Sequence, residues 1–271
     1  MVRSLWTAAT GMIAQQTNVD TIANNLANVN TAGYKTSVAE FQSLLYQTLQ
    51  TRTTSANGDQ KPGSAQVGLG TRNSSITTIF DQGPMLESTS DTAFAIEGLG
   101  FFSIRGLDGN TYYTRSGNFF LSESGNGLML STAEGYPVLD SEGRPIEFDS
   151  EMIASKISIT NGGEFCYPDE SNNPQPLGIR IGVHQFNNPN GLYKNDGGYF
   201  EETVTSGAAM NEATNQNLKT SKVVQGYLEG SNVQVVDEMV NLIVAQRAYE
   251  MNSKAITTTD EMMQTANQLK S

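Results

Sequence analysis

Residues that could carry catalytic chemistry are few in this sequence. It contains one histidine, His184, and one cysteine, Cys166, so a histidine-rich metal site cannot form. A thiol–imidazole nucleophile pair is formally possible. However, the acidic neighbours of Cys166 in GGEFCYPDE disfavour the thiolate that such a pair needs. We therefore expect Cys166 to be a small apolar residue, buried or half-buried.

Two glycine-rich stretches resemble parts of phosphate-binding loops. GLGTRN at 68–73 and GLGFF at 98–102 complete neither a Walker pattern nor GxGxxG, and neither opens a recognisable helix. Gly98 and Gly100 are instead expected to mark a bend or bulge before a strand. The adjacent carboxylates of Asp237 and Glu238 suit the positive end of a helix dipole. The sequence thus predicts no catalytic residue, no metal site and no cofactor, and we expect the chain not to be an enzyme.

The overall charge and the apolar runs exclude several classes of partner. The net charge of −12 argues against a nucleic-acid backbone or an anionic membrane as a partner. A single cysteine rules out an intrachain disulfide. No apolar run approaches the ~20 residues that a membrane helix needs, and the first residues lack the apolar segment of a secretory signal peptide. We expect neither membrane insertion nor a cleaved signal of that type.

Residues 1–33 have the spacing of a helix whose surface is unusually neutral. Only Arg3 and Asp20 are ionised in this stretch. Amides can be buried at far lower cost than charges when they are hydrogen-bonded, so we predict a helix with neighbours on most sides. Gly33 is expected to end it in the left-handed conformation. The predicted apolar seam, which suits a coiled coil, consists of Leu5, Met12, Val19, Ile22, Leu26 and Val29.

The last helix is predicted to open at Ser231, which forms a capping-box pattern with Gln234. Polar residues take the intervening places of its seam, at Gln246, Ser253 and Asp260. The apolar assembly positions predicted on this helix are Met239, Leu242, Ile243, Tyr249, Ile256 and Met263.

The two seams cannot order the chain ends by themselves. Fully burying an apolar side chain stabilises by ~1.5–3 kcal/mol, whereas ordering the backbone costs ~1–2 kcal/mol for every residue. We therefore predict that both ends are mobile in the free monomer and fold when copies pack together. The β region, with its closely spaced aromatic residues, is expected to be folded beforehand.

The residues between the helices have a mainly β-like pattern. Residues 34–50 fit a helix or a strand, and the pattern does not decide between them. Residues 51–75, rich in Gly, Ser and Thr, are expected to be a connector or an irregular loop. Further on, Asp108-Gly109 and Gly125-Asn126-Gly127 are turn signals flanked by aromatic and β-branched residues, as in successive hairpins.

These patterns predict an α+β fold in which the N- and C-terminal helices pair as a coiled-coil domain around a central β-rich domain. The terminal helical domain comprises 1–35 and 226–271. A connecting segment covers 36–75, and the β-rich outer domain covers 76–225.

Three stretches of the sequence resemble signatures of one protein family. NNLANVNTAGYK at 24–35 is similar to the N-terminal signature of bacterial flagellar rod and hook proteins. GFFSIRGLDGNTYYTRSGNF at 100–119 is similar to their central motif, and QGYLEGSNVQVVDEMVNLIVAQRAYEMNSKAITTTDEMM at 225–263 to their C-terminal signature. The length, the opening SLWTAATGMIAQQTNVDTIANNLANVNT and an insert around 51–72 most resemble the distal rod members.

This resemblance implies a structural subunit that self-assembles into a rigid tubular drive shaft, transmitting torque from motor to hook. The terminal helices would form an inner domain with the β-rich domain outside, and the insert would help to stiffen the shaft. The implied partners are further copies of the chain, proximal rod proteins, the hook protein, the P-ring and L-ring bushing proteins, the export apparatus and the rod cap. The implied location is the periplasm-spanning basal body, reached through flagellar type III export without a cleaved signal. The neutral N-terminal helix would face neighbouring copies and a narrow channel, with Asn24, Asn25 and Asn28 at inter-subunit contacts.

Two other interpretations are open at this point. The chain could be another flagellar rod or hook-type axial protein. It could also be a secreted oligomeric binding module, such as an adhesin, which should expose a large concave or aromatic patch on its β domain. An enzyme is a third possibility, and a deep pocket with convergent polar groups around His184 would favour it.

Overall fold

The computed structural model describes residues 2–50, 65–125, 127–150, 152–169, 173–215 and 217–269. These residues belong to two compact units. A helical unit is drawn from 1–27, 37–78 and 234–271, and a β-rich unit from 28–36 and 79–233. The α+β class is confirmed, since a helix opens the chain, strands follow and a second helix closes it. The units divide the chain differently from the predicted domains: residues 37–50 and 65–75 group with the helices, and residues 28–35 and 226–233 group with the strands.

The helical unit contains two helices and two pairs of strands. Its elements are α1 (Val2–Ala27), β1 (Ser37–Ser43), β2 (Tyr46–Gln50), β3 (Ala65–Gly68), β4 (Thr71–Thr78) and α2 (Val235–Gln268). β1 pairs with β4 and β2 pairs with β3, both in the antiparallel direction. Neither described helix is both long and apolar enough to cross a membrane.

The strand pairs decide between helix and strand for residues 37–50, and they correct the expectation for residues 51–75. Residues 37–43 and 46–50 are extended rather than helical. The expectation of an irregular connector over 51–75 is wrong for 65–68 and 71–75, which lie in strands. Threonine is β-branched and favours strands, and Thr71 pairs with Ser43 at one end of the β1–β4 ladder. Residues 51–64, and with them most of the predicted insert, lie outside the described residues.

α1 and α2 pack against each other in opposite directions. Asn25 near the end of α1 donates a hydrogen bond from Nδ2 to Glu238 Oε2 in the first turn of α2, at 3.3 Å. Gly11, near the start of α1, lies against Asn252 of α2. A Cβ added to Gly11 would be 2.8 Å from Asn252 Nδ2, so the backbone of α1 comes close to α2 at this point.

Both helices are shorter than predicted. α1 ends at Ala27, and Gly33 takes the predicted left-handed conformation, with φ +73°, after an intervening turn. α2 begins at Val235, so the predicted capping box of Ser231 and Gln234 is wrong. The Ser231 hydroxyl instead accepts a hydrogen bond from the Val233 N–H at 3.3 Å, and the chain stays extended through Gln234.

The β-rich unit contains sixteen described strands. They are β5 (Met85–Glu87), β6 (Phe94–Glu97), β7 (Phe101–Arg105), β8 (Thr111–Thr114), β9 (Phe120–Ser124), β10 (Gly127–Ser131), β11 (Glu147–Phe148), β12 (Ser158–Ile159), β13 (Glu164–Pro168), β14 (Pro174–Arg180), β15 (Val183–Gln185), β16 (Tyr193–Lys194), β17 (Tyr199–Glu201), β18 (Met210–Asn211), β19 (Lys222–Gln225) and β20 (Tyr227–Glu229). The six-stranded sheet has the order β16-β17-β8-β7-β15-β18, and smaller sheets complete the unit.

Two predicted hairpins in this unit are confirmed. β7 and β8 pair across the Asp108-Gly109 turn, and Gly109 has φ +82°. β9 and β10 pair with Gly127 opposite Ser124, although Asn126 lies outside the described residues. Gly98, between β6 and β7, has φ +145°, which confirms the expected bend. Burial is strongest in one large apolar cluster that includes Phe94, Phe102, Phe119 and Phe165, and in a smaller aromatic cluster around Phe101 and Phe200.

Candidate assembly surface and buried ion cluster

The predicted seam residues differ widely in exposure within the chain. Ile22 is buried, at 5% exposed. Half-buried positions are Leu5, Met12, Val19, Leu26 and Val29 from the N-terminal stretch and Leu242, Ile256 and Met263 from α2. Met239, Ile243 and Tyr249 are exposed on α2. The twelve positions therefore do not form one continuous intrachain seam.

Two of the three polar places predicted for the α2 seam lie one residue beyond a buried position. Gln246 and Asp260 are exposed, and Ser253 is half-buried. Ala245, which precedes Gln246, and Thr259, which precedes Asp260, are buried instead. One residue turns a helix by about 100°, so this difference moves the buried stripe to the side of α2 that carries small residues. Small side chains let two helices approach closely, as the contact between Gly11 and Asn252 illustrates.

Asn25 serves the fold of its own chain. It is 1% exposed. Its Oδ1 accepts from the Ser37 N–H at 2.9 Å, and its Nδ2 donates to the Ser37 carbonyl oxygen at 2.8 Å. With its amide engaged in this way and also bonded to Glu238, Asn25 joins α1 to β1 and is not available to a neighbouring copy. Asn24 is exposed and Asn28 is half-buried.

α2 carries an apolar stripe that the described residues leave uncovered. Val236, Met239, Val240 and Ile243 are 74%, 51%, 54% and 57% exposed. At 3.6 residues per turn they lie within about a third of the helix circumference, roughly opposite the buried Ala245. We call these four residues the α2 stripe. A contiguous exposed apolar surface of this kind typically marks a site of protein association.

The β-rich unit encloses an ion cluster that sequence reasoning did not find. Lys35 Nζ lies 2.6 Å from Glu229 Oε1, and both side chains are 0% exposed. Arg115 Nη1 lies 3.2 Å from Glu229 Oε2, and its side chain is 1% exposed. Gly83 donates its backbone N–H to Glu229 Oε1 at 3.0 Å. One carboxylate thus joins two buried cations and a backbone amide.

Backbone carbonyl groups also accept hydrogen bonds from the two cations, although the buried Arg115 Nε has no hydrogen-bond partner among the described residues. Lys35 Nζ donates to the Asp81 carbonyl oxygen at 2.7 Å, and Arg115 Nη2 donates to that of Gly98 at 2.8 Å. Burial lowers the pKa of Lys35 and of Arg115, and Glu229 opposes this shift in both. The guanidinium also lies over the Phe101 ring, with 4.9 Å from Cζ to the ring centroid. These contacts replace much of the water that the charges lose on burial.

The sequence contained a weak signal for this cluster. Lys35 follows the predicted helix stop signal at Gly33 by two residues. The Gly33 N–H in fact donates to the Glu229 carbonyl oxygen at 2.7 Å. A lysine fixed two residues after a left-handed glycine could have suggested a buried partner, but the identity of that partner depends on the tertiary fold.

The two residues considered for nucleophilic chemistry lie in different sheets. Cys166 is in β13 and buried, as expected, at 5% exposed. His184 is in β15, with its ring centroid 5.5 Å from that of Tyr113, and burial lowers its pKa. Its Nδ1 has no hydrogen-bond partner among the described residues. Within those residues, no group of three His, Cys, Asp or Glu side chains could hold a metal ion.

Three family models match the chain. Residues 5–35 match the flagella basal body rod protein family, and residues 95–167 match the D1 domain of the flagellar hook protein FlgE/F/G. Residues 224–269 match the C-terminal region of the flagellar basal body rod FlgEFG proteins. Together with a helix near each end of the sequence and a β-rich unit, these matches define an axial protein of the bacterial flagellum.

Full-length relatives specify the family further. The chain is 45% identical to the flagellar basal-body rod protein FlgG of Borreliella burgdorferi, over 100% of this chain and 99% of the relative. The FlgG protein of Agrobacterium fabrum is 42% identical over 96% and 97% of the two chains, and that of Bacillus subtilis is 38% identical over 100% of both. The chain belongs to the FlgG family of flagellar basal-body rod proteins. It is a structural subunit of the flagellar distal rod. This family is structural rather than enzymatic, and the relatives give no support to a secreted adhesin.

Each matched segment supplies one charged member of the ion cluster. Lys35 is the last residue of the first match, Arg115 lies in the second and Glu229 lies near the start of the third. The three segments are far apart in the chain and meet at one carboxylate. The three matched segments of this chain therefore meet at this point of the β-rich unit.

Proposed function

We propose that the chain polymerises into a rigid, tubular, helical shaft that transmits torque from the motor to the hook. The α2 stripe is the observation that carries this proposal. It offers four apolar side chains, each more than half exposed, on the face of α2 away from the buried Ala245. In a helical polymer, the same stripe on every copy can be buried against the next copy.

The energetics favour burial of the stripe on assembly. Removing apolar surface from water stabilises by about 25 cal/mol per Å², and the four side chains lie on one face of α2. The stripe ends where charged side chains take over the same face, at Arg247, Glu250 and Lys254. Arg247 and Glu250 form an exposed ion pair at 2.8 Å. The first turns of α2 are therefore the part of the helix best suited to contact another copy.

The pairing of α1 with α2 supports a coiled-coil arrangement of the chain ends. Leu242, Ala245, Asn252, Ile256, Thr259 and Met263 follow three- and four-residue steps or multiples of them, and these residues are half-buried or buried. Three of the six, Ala245, Asn252 and Thr259, are small or polar, which limits the apolar surface that α2 buries inside one chain. We therefore retain the proposal that the chain ends become fully ordered only when neighbouring copies cover the stripe.

Membership of the family supports a wider set of proposed partners. We propose contacts with proximal rod proteins, the hook protein, and the P-ring and L-ring proteins, and passage through the flagellar export apparatus beneath a rod cap. The location would be the rod that spans the periplasm. Export would proceed without cleavage of a signal peptide.

Charge placed on the α2 stripe tests the proposal. Val240→Asp should prevent polymer formation, because each contact would bury a carboxylate without a partner. Thr257→Asp is the matched control, since Thr257 is exposed on the same helix beyond the stripe. Electron microscopy and sedimentation should find polymers for the parent chain and Thr257→Asp only. Normal polymers of Val240→Asp would refute the assignment of this stripe.

A further inference from the structure

The loop that joins β12 to β13 contains an asparagine followed by a glycine, at Asn161 and Gly162. Asn161 is exposed to solvent. The Gly163 N–H closes the loop by donating to the Thr160 carbonyl oxygen at 2.8 Å. Within the described part of the chain, neither the side-chain amide of Asn161 nor the backbone N–H of Gly162 has a hydrogen-bond partner. Two groups that can react with each other are therefore adjacent and unengaged.

The chemistry available to this pair is ring closure to a succinimide. The Gly162 backbone nitrogen gives up its proton and bonds to the side-chain carbonyl carbon of Asn161, and the side-chain nitrogen leaves as ammonia. Water then opens the ring. Cleavage of the bond to the side-chain carbon gives aspartate, whereas cleavage of the bond to the main-chain carbon gives isoaspartate, whose backbone is longer by one methylene group. Glycine favours the attack because it has no Cβ to obstruct the approach.

The backbone of this loop requires glycine at 163 but not at 162. Gly163 has φ +81°, and a Cβ added to it would be 3.0 Å from Ile181 Cγ2. Gly162 is not in the left-handed region, and a Cβ added to it would meet Thr160 Oγ1 at 3.7 Å, which is an ordinary van der Waals contact. Gly162→Ala is therefore expected to hinder succinimide formation while the loop keeps its conformation.

Another asparagine–glycine pair in the chain provides a matched comparison. The sequence has three further pairs, which begin at Asn57, Asn126 and Asn190, and the first two asparagines lie outside the described residues. Asn190 is exposed like Asn161. However, the N–H of Gly191, which follows it, donates to the Asn188 carbonyl oxygen at 3.1 Å inside a 3₁₀ helix. Succinimide formation at Asn190 must first break this hydrogen bond, which adds to its barrier.

We propose that Asn161 is a site of spontaneous deamidation and isoaspartate formation, with water as the co-reactant, and that isoaspartate there loosens the β12–β13 hairpin from β19. The Val223 N–H in β19 donates to the Asn161 main-chain carbonyl oxygen at 3.2 Å, and Val223 is 1% exposed. In isoaspartate this carbonyl group becomes a free carboxylate, and the main chain runs through the former side-chain carbon. The bond to Val223 is then displaced, and a charge lies beside a buried residue, which is unfavourable.

Incubation of the full chain at mildly alkaline pH tests the reaction. Peptide mass spectrometry follows the replacement of the side-chain NH₂ by OH at each site, and an isoaspartyl methyltransferase labels the isoaspartate product. In the folded chain, Asn161 should deamidate several-fold faster than Asn190. In urea the two sites should react at similar rates, because both glycine N–H groups are then free. Equal rates in the folded chain, or a faster reaction at Asn190, would overturn the proposal.

Two variants separate the steps of the proposal. Gly162→Ala should slow deamidation of Asn161 several-fold and leave that of Asn190 unchanged, whereas an unchanged rate at Asn161 would contradict the proposed attack. Asn161→Asp introduces the charge without lengthening the backbone. Freshly prepared, it should keep the hydrogen-exchange protection of the Val223 amide, which should be lost in incubated chain enriched in isoaspartate. Full protection of Val223 in the enriched chain would contradict the proposed loosening.

Discussion

Lys35 Nζ and Glu229 Oε1 lie 2.6 Å apart in the interior of the β-rich unit, although 194 positions separate the two residues. Lys35 follows the turn after α1, and Glu229 ends β20, shortly before α2 begins. The pair therefore fixes both helix-flanking segments to the same β-rich unit. A buried charge without a counter-charge is strongly unfavourable, so the unit depends on the presence of both segments.

Glu229→Gln should destabilise the β-rich unit strongly. The substitution preserves shape but leaves two buried cations without a carboxylate, and breaking a buried pair typically costs about 3–5 kcal/mol. Urea unfolding followed by near-UV circular dichroism measures the change. Glu97→Gln is the control: its pair with Lys222 is 3.5 Å long, and both side chains are more than half exposed, so its loss should cost at most about 1 kcal/mol. Equal effects of the two substitutions would argue against the cluster as a stabilising element.

Gly33→Ala should destabilise the same unit for a steric reason. Its φ of +73° is unfavourable for alanine by about 1–2 kcal/mol. In addition, a Cβ would be 2.5 Å from the Ser116 backbone nitrogen, and this atom cannot shift unless the backbone around it also moves. Gly109→Ala isolates the first effect, because Gly109 has φ +82° and nothing lies within 4 Å of its added Cβ. The free energy of unfolding should fall further for Gly33→Ala than for Gly109→Ala, and the reverse order would contradict this description of the turn.

Tyr113 should make the β-rich unit less stable at alkaline pH. Burial raises its pKa from 10.0 to about 12. Between these values the unfolded chain loses the phenolic proton while the folded chain keeps it, so the folded state binds more protons and the free energy of unfolding falls as pH rises. Tyr113→Phe should reduce this slope between pH 10 and 12, as measured by urea unfolding at several pH values. An unchanged slope would show that Tyr113 ionises equally in both states.

Leu26→Asp should block assembly without unfolding the β-rich unit. Leu26 is half-buried near the end of α1, in the helical unit. A carboxylate at this place opposes helix packing, while the near-UV circular dichroism of the aromatic-rich unit should be retained. Sedimentation of the variant checks the first expectation, and its circular dichroism spectrum checks the second. Polymers of normal length and yield would remove Leu26 from the assembly seam.

Local chemistry predicted part of this structure well. The hairpin turn at Asp108-Gly109, the left-handed Gly33 and the acidic first turn of α2 each depend on a few adjacent residues, and each is confirmed. Two polar places of the α2 seam, Gln246 and Asp260, were set one residue beyond a buried position because alanine and threonine contribute little to an apolar pattern, yet Ala245 and Thr259 are the residues that close packing selects.

Other features depend on distant partners and could not be found from local patterns. The strands at 65–68 and 71–78 need β2 and β1 to pair with. The ion cluster needs Lys35, Arg115 and Glu229 to meet from three separate segments. Among the assembly positions, Met239 and Ile243 were chosen because they are apolar, but only the fold shows that they are exposed rather than packed against α1.

Hydrogen exchange on the monomer and on the assembled polymer tests the central claim most directly. If the α2 stripe is covered by neighbouring copies, backbone amides around Val236 to Ile243 should exchange much more slowly in the polymer than in the monomer. Amides of β7 and β8 should be equally protected in both states. If the amides of α2 are strongly protected in the free monomer and their protection does not change on assembly, the claim that this helix completes its packing only between copies is contradicted.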